Sequence, residues 1–205
     1  MNSTDAIYLI DGFWQWFSQN ELTYRKIFDD NETDLIDDIL SKLIRIQRGL
    51  AVEFEKHDEI YVMTVSADGI EEYFDIVQEI VNKAPLLNNW KFFAFRRPYG
   101  KEQLQTLRLT VYDHELDPKQ IMFLPLIEDG MLYIQIFSKD INDGSKGKIG
   151  YGCLMLLDNI IGEYACVKEI DGFEYYNLSE ADEFKNQLKP LIEIRESLNA
   201  YYQRV

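Results

Sequence analysis

Two cysteines, two histidines and no long apolar run leave few chemistries open to this 205-residue sequence. His57 and His114 stand alone, without His-x-x-x-His, Cys-x-x-Cys or EF-hand spacing, so no metal ligand is assigned. Cys153 precedes Leu154-Met155-Leu156-Leu157 and Cys166 lies between Ala165 and Val167. Both read as buried, reduced thiols, because a chain of this size gains little from one disulfide. Neither has the polar, electropositive surroundings that activate a thiol, and no Gly-x-Ser-x-Gly elbow occurs. No catalytic residue and no cofactor follow from the sequence. A bilayer span needs about 20 apolar residues, which no segment supplies, so no membrane association is expected. Residues 1–11 lack Lys and Arg and hold only a short apolar stretch, which reads as neither signal peptide nor anchor and gives a cytoplasmic expectation.

Bases are scarce as well. Twenty-one Lys and Arg face 36 Asp and Glu, for a formal charge of −15. That balance repels phosphate backbones and removes the counterion-release contribution to nucleic-acid affinity. No nucleic-acid partner is expected, whereas a basic protein partner fits. Apolar residues are plentiful at 46%, with 13 Tyr and 12 Phe, which excludes low-hydrophobicity disorder.

The periodicities predict an α+β fold with antiparallel sheets backed by helices. Apolar residues at helical spacing place a first helix over residues 11–28, with Phe13, Trp14, Phe17, Tyr24 and Phe28 on one face, and a second over 33–47. Alternation over 50–54 and 59–65 predicts a hairpin turning at Lys56-His57-Asp58. Asp68 and Glu71 have capping-box spacing before a helix that Pro85 stops, and strands follow over 90–95 and 107–112, joined by a loop at Pro98-Tyr99-Gly100. The order then recurs: a hairpin at Glu128-Asp129-Gly130, a helix over 149–161, and a strand pair over 164–170 and 173–176 turning at Asp171-Gly172. A final helix opens at Ser179 and is kinked near Pro190. The expectation is two tandem hairpin, helix and strand-pair units in one domain, with related halves at about 1–115 and 116–205, preceded by a helix pair and closed by a C-terminal helix.

Among polar residues, Glu21 is the most unusual. It shares a helical line with Phe17, Tyr24 and Phe28, so its carboxylate emerges beside aromatic rings, a costly position unless it is paired. Either Glu21 or Asn20 satisfies backbone amides or an arginine such as Arg96 or Arg97, or Glu21 anchors a ligand in a pocket lined by Trp14, Phe17, Trp90 and Phe92. A second cluster ends the fourth helix: Asp158 borders its apolar face, Gly162 is suited to a left-handed stop, and Glu163 would open the next strand. The stretch from Asp143 to Gly150 offers backbone amides and two lysines before a helix, but without P-loop spacing it reads as a connecting loop.

Phe13-Trp14-Gln15-Trp16-Phe17-Ser18-Gln19-Asn20-Glu21 and Leu156-Leu157-Asp158-Asn159-Ile160-Ile161-Gly162-Glu163-Tyr164 together resemble an uncharacterised bacterial domain family of unknown function. The resemblance spans most of the chain and implies a bacterial, cytoplasmic origin and no known activity. The expected function is therefore a non-catalytic binding or protein-interaction role. The alternative is a small-molecule binder or enzyme whose aromatic pocket is anchored by Glu21. The sequence assigns no oligomeric state.

Overall fold

The computed structural model describes residues 3–203 and divides into two compact units, one ending at Arg96 and one beginning at Arg97. The division precedes the boundary expected near residue 115 because Leu107 and Val111 belong to the second hydrophobic core.

The N-terminal unit opens with α1 (Ser3–Tyr24), longer than its sequence pattern because Ile10 extends the buried stripe formed by Phe13, Trp14, Phe17 and Tyr24. A one-turn α2 (Lys26–Asp29) and the positive φ of Asn31 (56°) reverse the chain into α3 (Asp34–Ile46), which buries Ile39, Leu43 and Ile46. Gly49, at φ 90°, turns the chain into β1 (Ala51–His57), which pairs antiparallel with β2 (Ile60–Ser66). The hairpin turns at Asp58-Glu59, slightly beyond the predicted site, with Asp58 at φ 53°. A 3-10 turn (Glu71–Tyr73) then leads into α4 (Phe74–Asn82). The capping box at Asp68 does not form: Ile70 precedes the turn, and the Asp68 carboxylate instead accepts from Arg96 at 2.9 Å. The helix carries the chain back so that β3 (Trp90–Ala94) lies parallel beside β2, with Met63 opposite Phe92, in the order β1-β2-β3.

The C-terminal unit begins with elements the sequence pattern did not distinguish: a short helix α5 (Lys101–Thr106) and a miniature hairpin of β4 (Leu109–Val111) and β5 (His114–Leu116). The expected hairpin at Asp129-Gly130 joins β6 (Met122–Glu128) to β7 (Met131–Ser138). Then come α6 (Lys146–Ile161) and α7 (Glu163–Lys168), and β8 (Gly172–Asn177) returns parallel to β7. The two-residue β9 (Lys189–Pro190) completes the order β8-β7-β6-β9, and α8 (Ile194–Tyr201) closes the unit.

Two elements depart from the sequence expectation. Asp171-Gly172 does not close a hairpin, since residues 163–168 are helical and β8 pairs with β7. Asp171 instead pins that pairing: its N–H donates to Leu132 O at 2.8 Å and its carboxylate accepts from Leu132 N at 2.7 Å. Gly172 is required beside it because the Tyr133 ring would lie 2.9 Å from any Cβ. The closing helix is also discontinuous. Asn177, not Ser179, caps a 3-10 segment (Leu178–Phe184), and Pro190 takes extended geometry in the edge strand before a further 3-10 turn and α8.

Candidate functional site

In the N-terminal unit the four aromatic residues expected to line a pocket pack directly on one another. Ring centroids lie 4.7 Å apart for Trp14 and Phe92, 5.1 Å for Phe17 and Trp90, and 5.6 Å for Phe17 and Phe92. Phe17 is wholly buried, so these rings form core. Burying an indole requires an acceptor for its N–H. Trp14 donates to Ile80 O at 2.6 Å, tying α1 to α4, and Trp90 donates to Glu21 Oε2 at 2.9 Å, tying β3 to α1.

Glu21 therefore sits as its helical line predicts, beside the rings and paired, with its side chain 18% exposed. Its arginine partner is neither Arg96 nor Arg97. Arg25, one turn along α1, grips both carboxylate oxygens, Nε to Oε2 at 2.9 Å and Nη2 to Oε1 at 3.2 Å. Arg25 Nη2 also donates to Asn88 O at 3.3 Å, and the guanidinium lies 5.3 Å from the Tyr61 ring centre. The network continues: the Tyr61 hydroxyl donates to Asp29 at 3.1 Å, and Lys56 donates to Asp29 at 2.6 Å while sitting 5.0 Å from the Tyr61 ring. The Lys56 hydrogen bond holds the Asp29 carboxyl below its ordinary range, and the same bond raises the Lys56 ammonium. Arg25, Asp29, Lys56 and Tyr61 escaped the sequence reading, although the Glu21 to Arg25 spacing of four residues was a usable signal.

Asn20 and Arg96 lie apart from this carboxylate. The Asn20 amide donates to Trp16 O at 2.8 Å within its own helix, and Arg96 bridges Glu53 and Asp68.

In the C-terminal unit Asp158 and Glu163 converge on Cys166. Gly162, at φ 88°, ends α6 as expected, but Glu163 opens α7, not a strand, and is wholly buried. The Cys166 thiol bonds the Asp158 carboxylate; burial first, and then Asp158, pushes that thiol up. Burial alone pushes Cys153 up to about 12. Both thiols are free and buried and stay protonated at neutral pH, a state unsuited to nucleophilic attack. Among the described residues no group of three or more His, Cys, Asp or Glu side chains is placed to hold a metal ion, and no helix is long and apolar enough to cross a membrane. In the loop before α6, the amides of Gly144 and Ser145 both donate to Asn142 Oδ1, at 3.0 and 3.2 Å, so they are turned inward and not toward an anion.

Two surface features of the N-terminal unit were not singled out by the sequence reading. An open groove of about 500 Å³ runs along β3, lined by residues 84–87 and 90–93. Residues 29–38, running from the last residue of α2 into α3, hold six acids and no base. All six are exposed; Asp29, Glu32 and Asp38 meet Lys56, Lys26 and Tyr24, while Asp30, Asp34 and Asp37 meet no base among the described residues. No protein-family model, no curated protein and no solved structure matches this chain.

Proposed function

We propose that this chain is a non-catalytic protein-interaction protein that engages a basic partner through the exposed acids of residues 29–38. The observation that carries this reading is the local concentration of charge: six exposed carboxylates without a base among them, four of which have no basic partner among the described residues. A charge cluster of this kind steers an oppositely charged partner and fixes its orientation. The −15 total alone would do so diffusely. The alternative of a ligand pocket anchored by Glu21 draws less support, since that carboxylate already accepts from Arg25 and Trp90. A bacterial, cytoplasmic setting, with neither nucleic acid nor membrane as partner, belongs to the same proposal.

The test uses an oligolysine peptide as probe at about 50 and about 150 mM salt, where screening weakens exposed charge pairs. Asp30→Asn, Asp34→Asn and Asp37→Asn combined should weaken binding about tenfold or more. A triple variant of equal charge change elsewhere, Glu72→Gln, Asp75→Asn and Glu183→Gln, should weaken it far less. Equal losses in both triples would reduce the interaction to net charge and overturn the assignment of the segment.

A further inference from the structure

The edge of β3 differs from the other edges of the two larger sheets, those of β1, β8 and β9. On β1, Glu53, Glu55 and Lys56 place charges along the strand; β8 carries Glu174; β9 is two residues long and ends in Pro190. These are the usual devices that stop an edge from pairing with another chain. β3 reads Trp-Lys-Phe-Phe-Ala, with Lys91 its one charge.

Its main chain is open on the outer side. Asn89 O accepts from Tyr61 N at 2.7 Å and Phe95 N donates to Val65 O at 2.8 Å, so the odd-numbered residues face β2. Parallel pairing alternates, which turns Trp90, Phe92 and Ala94 outward. Trp90 N reaches Leu87 O at 3.3 Å, whereas the N–H groups of Phe92 and Ala94 make no hydrogen bond among the described residues. The groove lies along this edge, and Leu86 on its wall is completely exposed.

Charge says which occupant fits. From residue 80 to the end of this unit at residue 96 there is no acid, while Lys83, Lys91 and Arg96 fall within the stretch, in a chain that carries 36 acids elsewhere. This is the segment where a second copy of so acidic a chain can approach without setting carboxylate against carboxylate.

We infer that β3 pairs antiparallel with β3 of a second copy about a two-fold axis at Phe92, forming a continuous six-stranded sheet from two three-stranded ones. In that register Phe92 stands opposite Phe92 of the second copy at a hydrogen-bonded position, and Trp90 stands opposite Ala94. Lys91 falls opposite Phe93 and not opposite another Lys91, so its ammonium meets a ring and not a like charge. The inference is independent of the acidic-segment reading, and salt separates the two. Screening relieves repulsion between two −15 chains and tightens this dimer, whereas it weakens binding of a basic partner.

Sedimentation of the full chain over a dilution series, at about 50 and about 300 mM salt, tests it, together with hydrogen exchange at the Phe92 and Ala94 amides. The expected result is a dimer that tightens with salt and in which both amides exchange more slowly as concentration rises. Leu86→Asp, at an exposed position, should raise the dissociation constant about tenfold or more without altering circular dichroism. Ala94→Pro, which removes an outward N–H, should abolish the dimer. A monomer at every concentration, or a dimer indifferent to both variants, would overturn the inference. So would edge amides that gain protection only when a different protein is added.

Discussion

The two units repeat one plan, a hairpin followed by helix and a parallel third strand, but fill it with different side chains. All three tryptophans lie in the N-terminal unit, where Trp14, Phe17, Trp90 and Phe92 join α1 to β3. The C-terminal core is aliphatic, built from Ile134, Ile136, Ile149, Leu156, Leu157 and Ile160 around the single wholly buried ring of Phe123. Aromatic packing brings polar obligations with it: each buried indole N–H needs an acceptor, supplied by Ile80 O and by Glu21. Aliphatic packing instead needs close approach. Gly150 and Gly152 supply it on α6, against the Tyr175 ring and against Val111 and Leu116. The same topology is thus held by directed bonds in one unit and by fit in the other.

The largest expected effect breaks the aromatic side of this comparison. Phe17→Ala removes a wholly buried ring that touches Trp14, Trp90 and Phe92, and should cost about 3–5 kcal/mol by chemical denaturation. A loss below about 1 kcal/mol would mean that the rings do not form a core.

The fit of the aliphatic side is probed at two glycines of one helix. Gly152→Ala would press a methyl into Leu116 and Val111, and should cost about 1–3 kcal/mol despite the better helix propensity of alanine. Gly147→Ala meets nothing within 4 Å and should be neutral or stabilising by up to about 1 kcal/mol. If both substitutions stabilise, α6 does not rest on the β4–β5 hairpin.

A smaller effect follows from the thiols, which only the C-terminal unit contains. Burial pushes Cys153 up to about 12 from an ordinary value of 9.0, and pushes Cys166 up as well. With folded values above unfolded ones, their contribution is complete below about pH 9 and declines as pH rises toward the folded values. Wild-type stability should therefore fall more steeply between about pH 9 and pH 11 than that of Cys153→Ala, measured by urea denaturation at each pH. Rapid labelling of either thiol in the native protein at pH 8 would contradict their burial.

Much of this architecture was legible in the sequence, and the failures have a common origin. Helix positions at 3.6 spacing such as Ile39 and Leu43 emerged buried where expected, as did the hairpins after β1 and β6, although Ile46 and not Ile44 completes that buried face. Local turn chemistry misled where tertiary pairing decided. Asp171-Gly172 has a hairpin signature, yet its carboxylate and N–H serve Leu132 across the sheet, and the one and a half turns of α7 were too short to show a helical period. Asp68 offered a cap and was taken by Arg96. At the candidate site, the position of Glu21 beside the rings could be read from spacing alone. Its contact with Trp90, 69 residues away, depends on the return of β3 and left no local trace. The β3 edge was hidden for a similar reason, since only the strand order shows which strand lacks a second neighbour.

Whether Glu21 belongs to the architecture or to a ligand site is decided by a double-mutant cycle of Glu21→Ala and Trp90→Phe, read by chemical denaturation. The indole N–H to Glu21 contact at 2.9 Å is a hydrogen bond to a charged acceptor, so the two losses should be non-additive, with a coupling of about 1–2 kcal/mol. Losses that add to within about 0.3 kcal/mol would show that the carboxylate does not hold β3 to α1, and would contradict the account of the N-terminal unit as a core fastened by directed bonds.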